Sequence, residues 1–389
     1  MSRNAIKTTH VGSLVRPDGL VGAIEHTDHA SPDFERTLNQ AVEDVVRRQV
    51  AIGLDIINDG EYAKFGSWSR YVLDRLAGLV ERPAPAGESQ GQRSVTGKDM
   101  RDFAAFYGEY FQKEGAKPSI TGTEWAVTGP VRYRGAAAVA QDIARLKAAC
   151  ASAGYAGEAF ITAVSPASVL PTVTQDYYRS EEEYLFALAD ALREEYRCIV
   201  DAGLIVQLDD AYLASTFDVM VPPATLEDYR RWAAIRVDAI NHSLRGLPSD
   251  RTRYHVCWGS WNGPHSNDVE IKHIVDLILK VEAGGYLLEM ANPRHEHEWR
   301  VWETVKLPEG RKLYPGVVSH ATNVVEHPEL VAERITRLAK LAGPENVIAS
   351  TDCGFAQGPT VRRVHASVMW AKLAALVQGA QLASRELGR

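Results

Sequence analysis

Apolar residues follow a helical spacing in some segments of the chain and form short continuous runs in others. The first clear helix begins after Ser31, which suits an N-cap because a proline follows it, and Gly53 ends this helix. Between them, Leu38, Val42 and Val45 lie on one face. The same spacing predicts further helices over Ala137–Ala153, Glu181–Ala202, Leu226–Leu244, Val269–Ala283, Pro328–Ala342 and Val361–Leu382.

Short apolar runs of strand length lie between most of these helices. The runs are Ile56–Asp59, Ser119–Glu124, Ala159–Val164, Leu204–Leu208, Arg253–Cys257, Tyr286–Met290, Gly316–Ser319 and Asn346–Thr351. Strands that alternate with helical crossovers form parallel sheets, and this number of strands matches a TIM (β/α)8 barrel. We therefore predict an α/β fold with one TIM-barrel domain over residues 1–389; a doubly wound open sheet is the alternative.

Two segments fall outside this repeat. The N-terminal extension, Lys7–Ser13, precedes the first predicted strand, and we expect it to reach over the mouth of the barrel. The inserted segment, Glu81–Pro118, follows the first βα unit and is too long for a tight loop. It either packs over the barrel or forms a contact between the subunits of a homo-oligomer. Its aromatic residues are Phe103, Phe106, Tyr107, Tyr110 and Phe111.

Nearly every predicted strand ends in residues that can bind or catalyse. These residues are Asp59-Gly60-Glu61, Glu124, Ser165, Asp209-Asp210, His255, Cys257, Glu289, His320 and Asp352-Cys353. Active sites of TIM barrels lie at the carboxyl ends of the strands, where side chains from distant parts of the sequence meet. The polar strand ends therefore support the barrel and predict the position of its site.

Composition and charge argue against nucleic acid and membranes as partners of this protein. The formal net charge of −7 is opposite in sign to the basic surface that nucleic acid requires. No apolar run approaches the roughly 20 residues of a membrane span, and the first residues lack the apolar core of a signal peptide. Four cysteines are too few for a disulfide framework. We therefore expect a cytoplasmic protein whose thiols serve a metal or catalysis, with no nucleic-acid or membrane partner.

A metal site is the first chemistry that the strand ends suggest. His255 and Cys257 are two positions apart on a predicted strand, so their side chains point to the same face. Cys353 ends the last predicted strand, and Glu289 ends a strand between them. Zinc accepts such nitrogen, sulfur and oxygen ligands, whereas magnesium and calcium prefer oxygen. The alternative is that the cysteines are only small buried apolar residues.

Six short segments at or near these strand ends carry a family resemblance. They are Thr9-His10-Val11-Gly12-Ser13, Asn58-Asp59-Gly60-Glu61, Gln207-Leu208-Asp209-Asp210, His255-Val256-Cys257, Glu289 and Asp352-Cys353-Gly354. Together they resemble the catalytic domain of cobalamin-independent methionine synthase and its single-domain relatives, which include epoxyalkane:coenzyme M transferase. The resemblance spans nearly the whole chain. It implies a TIM barrel, alkyl transfer to a thiol, and Zn²⁺ held by His255, Cys257, Glu289 and Cys353.

The resemblance also implies roles for single residues. Coordination to zinc deprotonates a thiol, and we assign Glu289 as the ligand that yields its place to the incoming sulfur. His320 matches a histidine that donates a proton to the leaving group, a task that suits imidazole. The alternative for His320 is a hydrogen-bonded barrel histidine. We expect the segment Asn292–Glu298 to be a solvated loop and helix start, from which Arg294 or His297 can contact substrate.

Which thiol binds depends on the charges around the end of the molecule opposite its sulfur. In the methionine synthases, residues matching Ser13, Glu61 and Asp209 hold the amino-acid part of homocysteine. Two carboxylates suit an α-ammonium group, whereas the sulfonate of coenzyme M requires arginine or lysine. The two carboxylates therefore favour homocysteine; capping of the next helix is their structural alternative. We add His10 and Arg16 to the predicted substrate-binding residues. The candidate partners for a sulfonate are Arg16, Arg70 and Arg132.

The alkyl donor is not defined by the sequence. The folate-using enzymes have a tryptophan after a Gly-Pro-Val-Thr-like loop, and the pterin stacks on it. The best match here, Ser165–Thr172, contains no tryptophan, although Tyr177 and Tyr178 follow it. The donor is therefore open between methyl-folate, another methyl donor and an epoxide.

These observations lead to one predicted activity and two alternatives. We predict a zinc-dependent enzyme that transfers a methyl or related alkyl group to homocysteine and so makes methionine. The first alternative is an enzyme that opens an epoxide with coenzyme M, and the second is a non-catalytic barrel with a structural zinc. Carboxylates around the end of the thiol molecule that lacks sulfur favour homocysteine, and a pair of arginines there favours coenzyme M.

Overall fold

A computed structural model of the chain describes residues 5–83, 97–113 and 123–389. The strands are β1 (Lys7–Thr8), β2 (Ile56–Ile57), β3 (Leu76–Pro83), β4 (Thr123–Tyr133), β5 (Glu158–Val164), β6 (Val173–Gln175), β7 (Ile205–Asp210), β8 (Thr252–Val256), β9 (Gly285–Leu288), β10 (Lys312–Val318) and β11 (Ile348–Thr351). The helices are α1 (Asp18–His26), α2 (Pro32–Ile52), α3 (Lys98–Asp102), α4 (Ala104–Lys113), α5 (Ala136–Ser152), α6 (Pro166–Val169), α7 (Glu181–Asp201), α8 (Tyr212–Met220), α9 (Leu226–Leu244), α10 (Val275–Ile278), α11 (Pro328–Ala342) and α12 (Ala366–Glu386). Short 3₁₀ helices cover Arg70–Arg75, Leu170–Thr172, Ser249–Arg251, Ile271–His273, Glu296–Glu303 and Pro344–Asn346.

Eight parallel strands form a sheet that is nearly closed into a barrel. Their order is β1-β11-β10-β9-β8-β7-β5-β2. Between the first and last strands of this order, the Asp55 amide donates to the Thr8 carbonyl oxygen at 3.1 Å, and Thr9 Oγ1 donates to the Ile56 carbonyl oxygen at 3.0 Å. Helices surround the sheet. The predicted TIM barrel is therefore confirmed.

One of the eight predicted strands was wrong, and one barrel strand was missed. The predicted N-terminal extension contains the missed strand, β1, which pairs with β11. Two residues are too few to show the apolar pattern of a strand, so β1 has no recognisable pattern in the sequence. The run Ser119–Glu124 is not a barrel strand, because its described part begins β4. That strand pairs antiparallel with β3 in a separate three-stranded sheet, β3-β4-β6.

The helix predictions are confirmed with one exception. Ser31 caps α2 by accepting from the Phe34 amide at 3.2 Å, and Gly53 follows its last residue in the left-handed conformation. The predicted helix Val269–Ala283 is instead broken into the 3₁₀ turn at 271–273 and the single turn of α10. The carbonyl oxygen of Val281, which closes this stretch, accepts from the Tyr286 hydroxyl at 2.9 Å. A side chain from β9 thus satisfies a backbone carbonyl at the end of this stretch.

The described part of the insertion packs over the barrel. Helices α3 and α4 lie against the loop after β8. Tyr107 Oη accepts from Trp261 Nε1 at 3.0 Å, and Tyr110 Oη accepts from the Asn262 amide at 3.2 Å. This contact fixes the loop that follows the His-x-Cys strand. Within the described ranges, no helix is both long and apolar enough to cross a membrane.

The barrel interior is closed beneath the strand ends by an apolar cluster. It joins residues of six strands and the loop after β1, namely Val11, Ile56, Phe160, Ile205, Leu287, Tyr314 and Ile348. The buried Arg253 guanidinium lies 3.6 Å from the centre of the Phe160 ring and donates to Thr9 Oγ1 at 3.2 Å. Because this layer is filled, a substrate can reach the strand ends only from the loop side of the barrel.

Candidate active site

Three of the predicted zinc ligands meet at the carboxyl ends of β8 and β11. His255 lies on β8, Cys257 follows it, and Cys353 lies just beyond β11. Their ligand atoms all lie within 4.8 Å of one another, and the two sulfur atoms are 3.5 Å apart. All three side chains are buried. The barrel has therefore brought together residues that are almost one hundred positions apart in the sequence.

The surroundings of this cluster suit a soft cation such as zinc. Neither ring nitrogen of His255 has a hydrogen-bond partner among the described residues, although the imidazole is buried. The adjacent Cys353 thiol, together with burial, raises the pKa of Cys257 well above its usual range. Two buried thiols this close do not ionise unless a positive charge lies between them. A metal ion would satisfy both the imidazole nitrogen and the sulfur atoms.

Two groups in the loop after β8 contact the sulfur atoms. The Gly259 amide donates to Cys257 Sγ at 3.2 Å, and Ser260 Oγ lies 3.0 Å from Cys353 Sγ. Such donors stabilise sulfur in its thiolate form. Ser260 was missed in the sequence, because a serine three positions after a cysteine has no distinctive spacing.

Glu289 lies in a second group rather than with the other three predicted ligands. Its two carboxyl oxygens accept from the Trp258 amide at 3.0 Å and from Asn292 Nδ2 at 2.9 Å. It shares a group of ligand atoms within 4.8 Å with His320 and Asp352. Burial, followed by the nearby Cys257, raises the pKa of Glu289 well above its usual range. The structure therefore divides the predicted ligand set into three residues together and one held beside them.

Asp352 and Asn292 hold this second group in place. Asp352 Oδ1 accepts from the amides of Met290 and Ala291 at 2.8 and 2.9 Å, which fixes the turn after β9. Asn292 bridges from Glu289 to Asp352 Oδ2, at 3.4 Å from the latter. Sequence reasoning missed the role of Asn292; its position three residues after a predicted ligand was the available indication.

His320 follows β10 and is buried beside Glu289. Within the described chain, neither of its ring nitrogens has a hydrogen-bond partner. Burial, followed by the positive charge of Arg363, lowers the pKa of His320 to about 3, so the imidazole is neutral near neutral pH. The alternative interpretation as a hydrogen-bonded barrel histidine does not describe this environment.

A cavity of about 80 Å³ opens on the sulfur cluster. We call it the carboxylate cavity; its walls include Ser13, Glu61, Trp68, Asp209, His255, Cys257, Ser260, Cys353 and Gln357. The pairing of β7 with β8 places Asp209 opposite His255, which joins the acidic wall to the predicted metal ligands. Among the described residues that line it, there is no arginine or lysine.

Two buried carboxyl groups form the acidic wall. Glu61 has a left-handed backbone (φ 61°), and its Oε1 accepts from Thr162 Oγ1 at 2.7 Å. Asp209 Oδ1 accepts from Gln207 Nε2 at 2.6 Å. Burial and the neighbouring charge of Glu61 raise the pKa of Asp209 to about 6. Lys64 Nζ lies 3.8 Å from Glu61 Oε1, so Glu61 is already paired with a buried ammonium group. Asp209 has no ion-pair partner among the described residues, and this favours a cationic group beside it in the cavity. The nearby Ser13 hydroxyl donates to the Ala356 carbonyl oxygen.

His10 and Arg16, the remaining predicted substrate contacts, lie behind this cavity rather than on its surface. His10 Nε2 contacts Gln49 Oε1 at 2.8 Å, and its Nδ1 accepts from the Gly12 amide at 3.2 Å. Arg16 Nη2 donates to the carbonyl oxygens of Lys64, at 3.0 Å, and Glu61. Both side chains are buried and hold the backbone that carries Ser13 and Glu61. The other two predicted sulfonate partners, Arg70 and Arg132, do not line the cavity either.

The segment Asn292–Glu298 is less solvated than expected. His295 is buried, with Nδ1 2.8 Å from Glu298 Oε2 and Nε2 3.0 Å from Asp268 Oδ2. These two carboxylates outweigh burial and raise the pKa of His295 to about 10. Both predicted substrate contacts in this segment, Arg294 and His297, are exposed. Arg294 lines a cavity of about 680 Å³ between the loops after β8, β9 and β10. The expectation of a solvated loop was therefore wrong for His295, because Asp268, from the loop after β8, packs against it and helps to bury it.

The sequence of this chain matches the model of a known protein family. The model for the cobalamin-independent synthase catalytic domain matches residues 162–376, which is more than half of the chain. The chain belongs to the cobalamin-independent synthase family. The match includes His255, Cys257, Glu289, His320 and Cys353 within its bounds. The predicted family is thereby confirmed.

Curated members of the cobalamin-independent synthase family align along nearly the whole chain. A methionine synthase of Sulfolobus acidocaldarius is 24% identical, over 98% of this chain and 93% of its own length. A 2-hydroxypropyl-CoM lyase of Xanthobacter autotrophicus is 25% identical, over 99% of this chain and 96% of its own length. The family to which the chain belongs therefore includes enzymes with two different names.

Solved structures of two methionine synthases have the same fold as this chain. A B12-independent methionine synthase from Shewanella sp. W3-18-1, in complex with selenomethionine, superposes with a TM-score of 0.73 at 19% identity, covering 98% of this chain and 99% of that one. A putative vitamin-B12-independent methionine synthase from Listeria monocytogenes superposes with a TM-score of 0.66 at 20% identity, covering 97% and 98%. At these identities the likeness concerns the barrel fold.

Proposed function

We propose that this protein is a zinc-dependent, cytoplasmic enzyme that transfers a methyl or related alkyl group to the thiol of homocysteine, giving methionine. One observation carries the proposal: the carboxylate cavity joins a nitrogen and sulfur cluster suited to zinc with a pair of buried carboxyl groups. The cluster suits a thiol, and the carboxyl pair suits the ammonium group of an amino acid. An amino-acid thiol carries both groups on one small molecule.

The charge of the cavity favours homocysteine over coenzyme M. An α-ammonium group between Glu61 and Asp209 would offset their mutual repulsion, and the pKa of Asp209, raised to about 6, would then fall. A sulfonate in the same place would add a third negative charge. Since no described residue that lines the cavity is arginine or lysine, nothing on its wall would compensate that charge.

The residues of the site have separate tasks in this proposal. His255, Cys257 and Cys353 would hold zinc, which when bound lowers the pKa of a coordinated thiol so that it is thiolate at neutral pH. Glu289 would be the fourth, labile ligand, and its hydrogen bonds to the Trp258 amide and to Asn292 would hold its carboxylate when it is not bound to the metal.

In this proposal, His320 is the donor to the leaving group. Its imidazole is held beside Glu289, and among the described residues it has no hydrogen-bond partner that would occupy it. As the carbon–sulfur bond forms and the bond from carbon to the leaving atom breaks, that atom gains an electron pair. Because the pKa of His320 is lowered to about 3, its neutral imidazole would donate a hydrogen bond to that atom from a ring N–H, and it could transfer a proton only after it had taken one up.

A purely structural zinc fits the geometry less well than a catalytic one. Structural zinc sites are closed by four protein ligands, whereas catalytic sites keep a position for substrate. Here three ligand residues cluster and face a cavity, while the fourth candidate, Glu289, is satisfied by other partners. This arrangement supports an exchangeable position.

Calorimetric titration of the zinc-loaded protein with L-homocysteine, and separately with coenzyme M, tests the proposal. We expect saturable binding of homocysteine, release of about one proton from the thiol, and no saturable binding of coenzyme M. The Cys353→Ser variant should lose zinc and homocysteine binding together. The matched variant Cys198→Ser, in α7 away from the site, should retain both.

Other outcomes of the titration would assign the site differently. Binding of coenzyme M alone would replace the proposal with opening of an epoxide by that thiol. Binding of neither thiol to a protein that retains zinc would indicate a structural metal. A cobalt-substituted protein gives an independent measurement, because its visible absorption should change when homocysteine replaces Glu289 as a ligand.

A further inference from the structure

We propose that Asp99, in α3 of the insertion, is a positioning residue for the metal centre and acts through the loop after β8, residues 258–268. This inference rests on the proposed function, because it concerns the sulfur ligands of the proposed zinc. The insertion was predicted either to cover the barrel or to form a subunit contact, and neither role involves the metal. Asp99 also lies outside residues 162–376, the part of the chain that matches the family model.

The first part of the loop after β8 brings two hydrogen-bond donors to the sulfur atoms. The Gly259 amide donates to Cys257 Sγ at 3.2 Å, and Ser260 Oγ donates to Cys353 Sγ at 3.0 Å. Both distances depend on the path of the loop, because neither Gly259 nor Ser260 lies in a strand. Groups that donate to metal ligands orient them and stabilise their charge. The position of the loop therefore affects how firmly the two sulfur atoms hold a metal ion.

Asp99 holds the second part of the same loop. Its Oδ1 accepts from the Ser266 amide at 3.0 Å and from the Ser266 hydroxyl at 2.6 Å. Its Oδ2 accepts from the His265 amide at 3.2 Å and from the Tyr107 hydroxyl at 2.9 Å. His265 has a left-handed backbone (φ 52°), which residues with side chains rarely adopt, so the bond to its amide stabilises an unfavourable conformation. Because Asp99 is only 3% exposed, water cannot replace these bonds without a rearrangement of the loop.

Trp261 connects the two parts of the loop. Its Nε1 donates to Tyr107 Oη at 3.0 Å, and its ring stacks on the His265 ring with centres 4.4 Å apart. A β-carbon added at Gly259 would collide with the indole, so the indole packs directly against the Gly259 backbone. The groups that Asp99 holds thus fix the indole, and the indole fixes the amide that donates to sulfur. This path of contacts is continuous from the insertion to the metal centre.

Asp99 is itself fixed to the barrel. Its backbone amide donates to Asp218 Oδ1, in the helix α8 that follows β7, at 2.9 Å. A β-carbon added at Gly97, two positions before Asp99, would collide with the Asp218 carboxyl group, so the start of α3 packs closely on α8. The carboxyl group of Asp99 thus has a support outside the loop that it holds. Its removal should release the loop while the barrel and α3 keep their places.

Asp99→Ala removes the acceptor of four hydrogen bonds, so the loop should relax and its two donors should move away from the sulfur atoms. Loss of a partner that orients metal ligands typically weakens metal binding by about 10- to 100-fold, and we expect zinc affinity to fall by about tenfold or more. In the cobalt-substituted protein, the sulfur-to-cobalt charge-transfer band should move to longer wavelength, because sulfur without donors gives up electron density more easily. Asp99→Asn keeps one acceptor oxygen and should show a smaller change in the same direction.

The measurements are zinc competition against a chromophoric chelator, the absorption spectrum of the cobalt-substituted protein, and urea unfolding. The matched control is Asp55→Ala. Asp55 precedes β2, at the end of the barrel opposite the metal centre, and its Oδ2 accepts from the Thr8 amide at 2.8 Å and from the Thr8 hydroxyl at 2.9 Å. This variant should lower the free energy of unfolding but leave zinc affinity within about twofold and the cobalt band in place.

The outcomes distinguish the role of Asp99 from the function beneath it. If the cobalt-substituted protein has no sulfur-to-cobalt band, or Cys353→Ser leaves that band unchanged, the proposed metal site fails and the role of Asp99 fails with it. If the band is present but Asp99→Ala changes neither the band nor the zinc affinity, the function stands and Asp99 is only structural. Equal changes in Asp99→Ala and Asp55→Ala would also overturn the inference. If Asp99→Ala does not fold, Tyr107→Phe decides, since it removes only the hydroxyl between Asp99 and Trp261: a band that does not move to longer wavelength refutes the inference.

Discussion

Replacement of Gly12 by alanine should separate the thiol site from the metal site. Gly12 has φ +138°, a conformation that side-chain-bearing residues rarely adopt. A β-carbon there would lie 2.6 Å from Thr162 Cγ2 and 2.8 Å from Glu61 Oε1. Both distances are shorter than real contacts, so Glu61 has to move away from the wall of the carboxylate cavity. The proposed zinc ligands His255, Cys257 and Cys353 belong to other strands and are not touched.

The magnitude follows from two contributions. The unfavourable backbone conformation costs about 1–3 kcal/mol of folding free energy. Displacement of Glu61 removes a charge-assisted hydrogen bond to the ammonium group of homocysteine, worth about 1.5–3 kcal/mol, which corresponds to a roughly 10- to 150-fold weaker Kd. Zinc affinity should remain within about threefold, because His255, Cys257 and Cys353 keep their positions.

The assay combines urea unfolding, zinc competition against a chromophoric chelator, and calorimetry with homocysteine. The matched control is Gly22→Ala in α1, where an added β-carbon meets nothing within 4 Å. A helix interior gains up to about 1 kcal/mol from this change, and homocysteine binding should be unaltered. If the Gly12→Ala protein folds, retains zinc and binds homocysteine as tightly as the Gly22→Ala protein, Glu61 is not part of the thiol site.

Two further substitutions have expected outcomes. Asn292→Ala removes the side chain that orients Glu289, so turnover should fall by about 10- to 100-fold with the fold intact; an unchanged rate would show that Glu289 needs no such support. His295, whose pKa is raised to about 10 by Asp268 and Glu298, stabilises the fold while it is protonated. Its contribution is complete below pH about 6.5 and is lost as the pH rises through about 10. The difference in urea unfolding free energy between the unchanged and His295→Asn proteins should therefore shrink from pH 7 to pH 10.5, and a constant difference would contradict the charge assignment.

The barrel was predictable because its strands alternate with amphipathic helices over most of the chain. Helices such as α9 and α11 lie where their apolar spacing places them. The strand β1 was not predictable, because its two residues are held by pairing with β11 and by Asp55 Oδ2, which accepts from the Thr8 amide at 2.8 Å. Contacts of this kind join distant residues and leave no periodic pattern in the sequence.

The candidate metal ligands were recognisable from their chemistry, but the way they group in the structure was not. The spacing of His255 and Cys257 on one strand predicts a shared direction, and the structure brings Cys353 to them. The resting position of Glu289 depends on the Trp258 amide and Asn292, which only the folded loops bring to it. The cavity between the loops after β8, β9 and β10 could not be predicted for the same reason, because three separate loops form its walls.

The position of β1 has a consequence for the order in which the protein can be made. Its partner β11 comes more than three hundred residues later, so the ring of strands cannot close until β11 has been synthesised. Until then the segment that carries Gly12 and Ser13 has no neighbour on one side, and the apolar cluster inside the barrel lacks Ile348. The newly made chain should therefore depend on chaperones more than a protein whose first strand pairs with its second, and its thiol site should form only at the last step of folding.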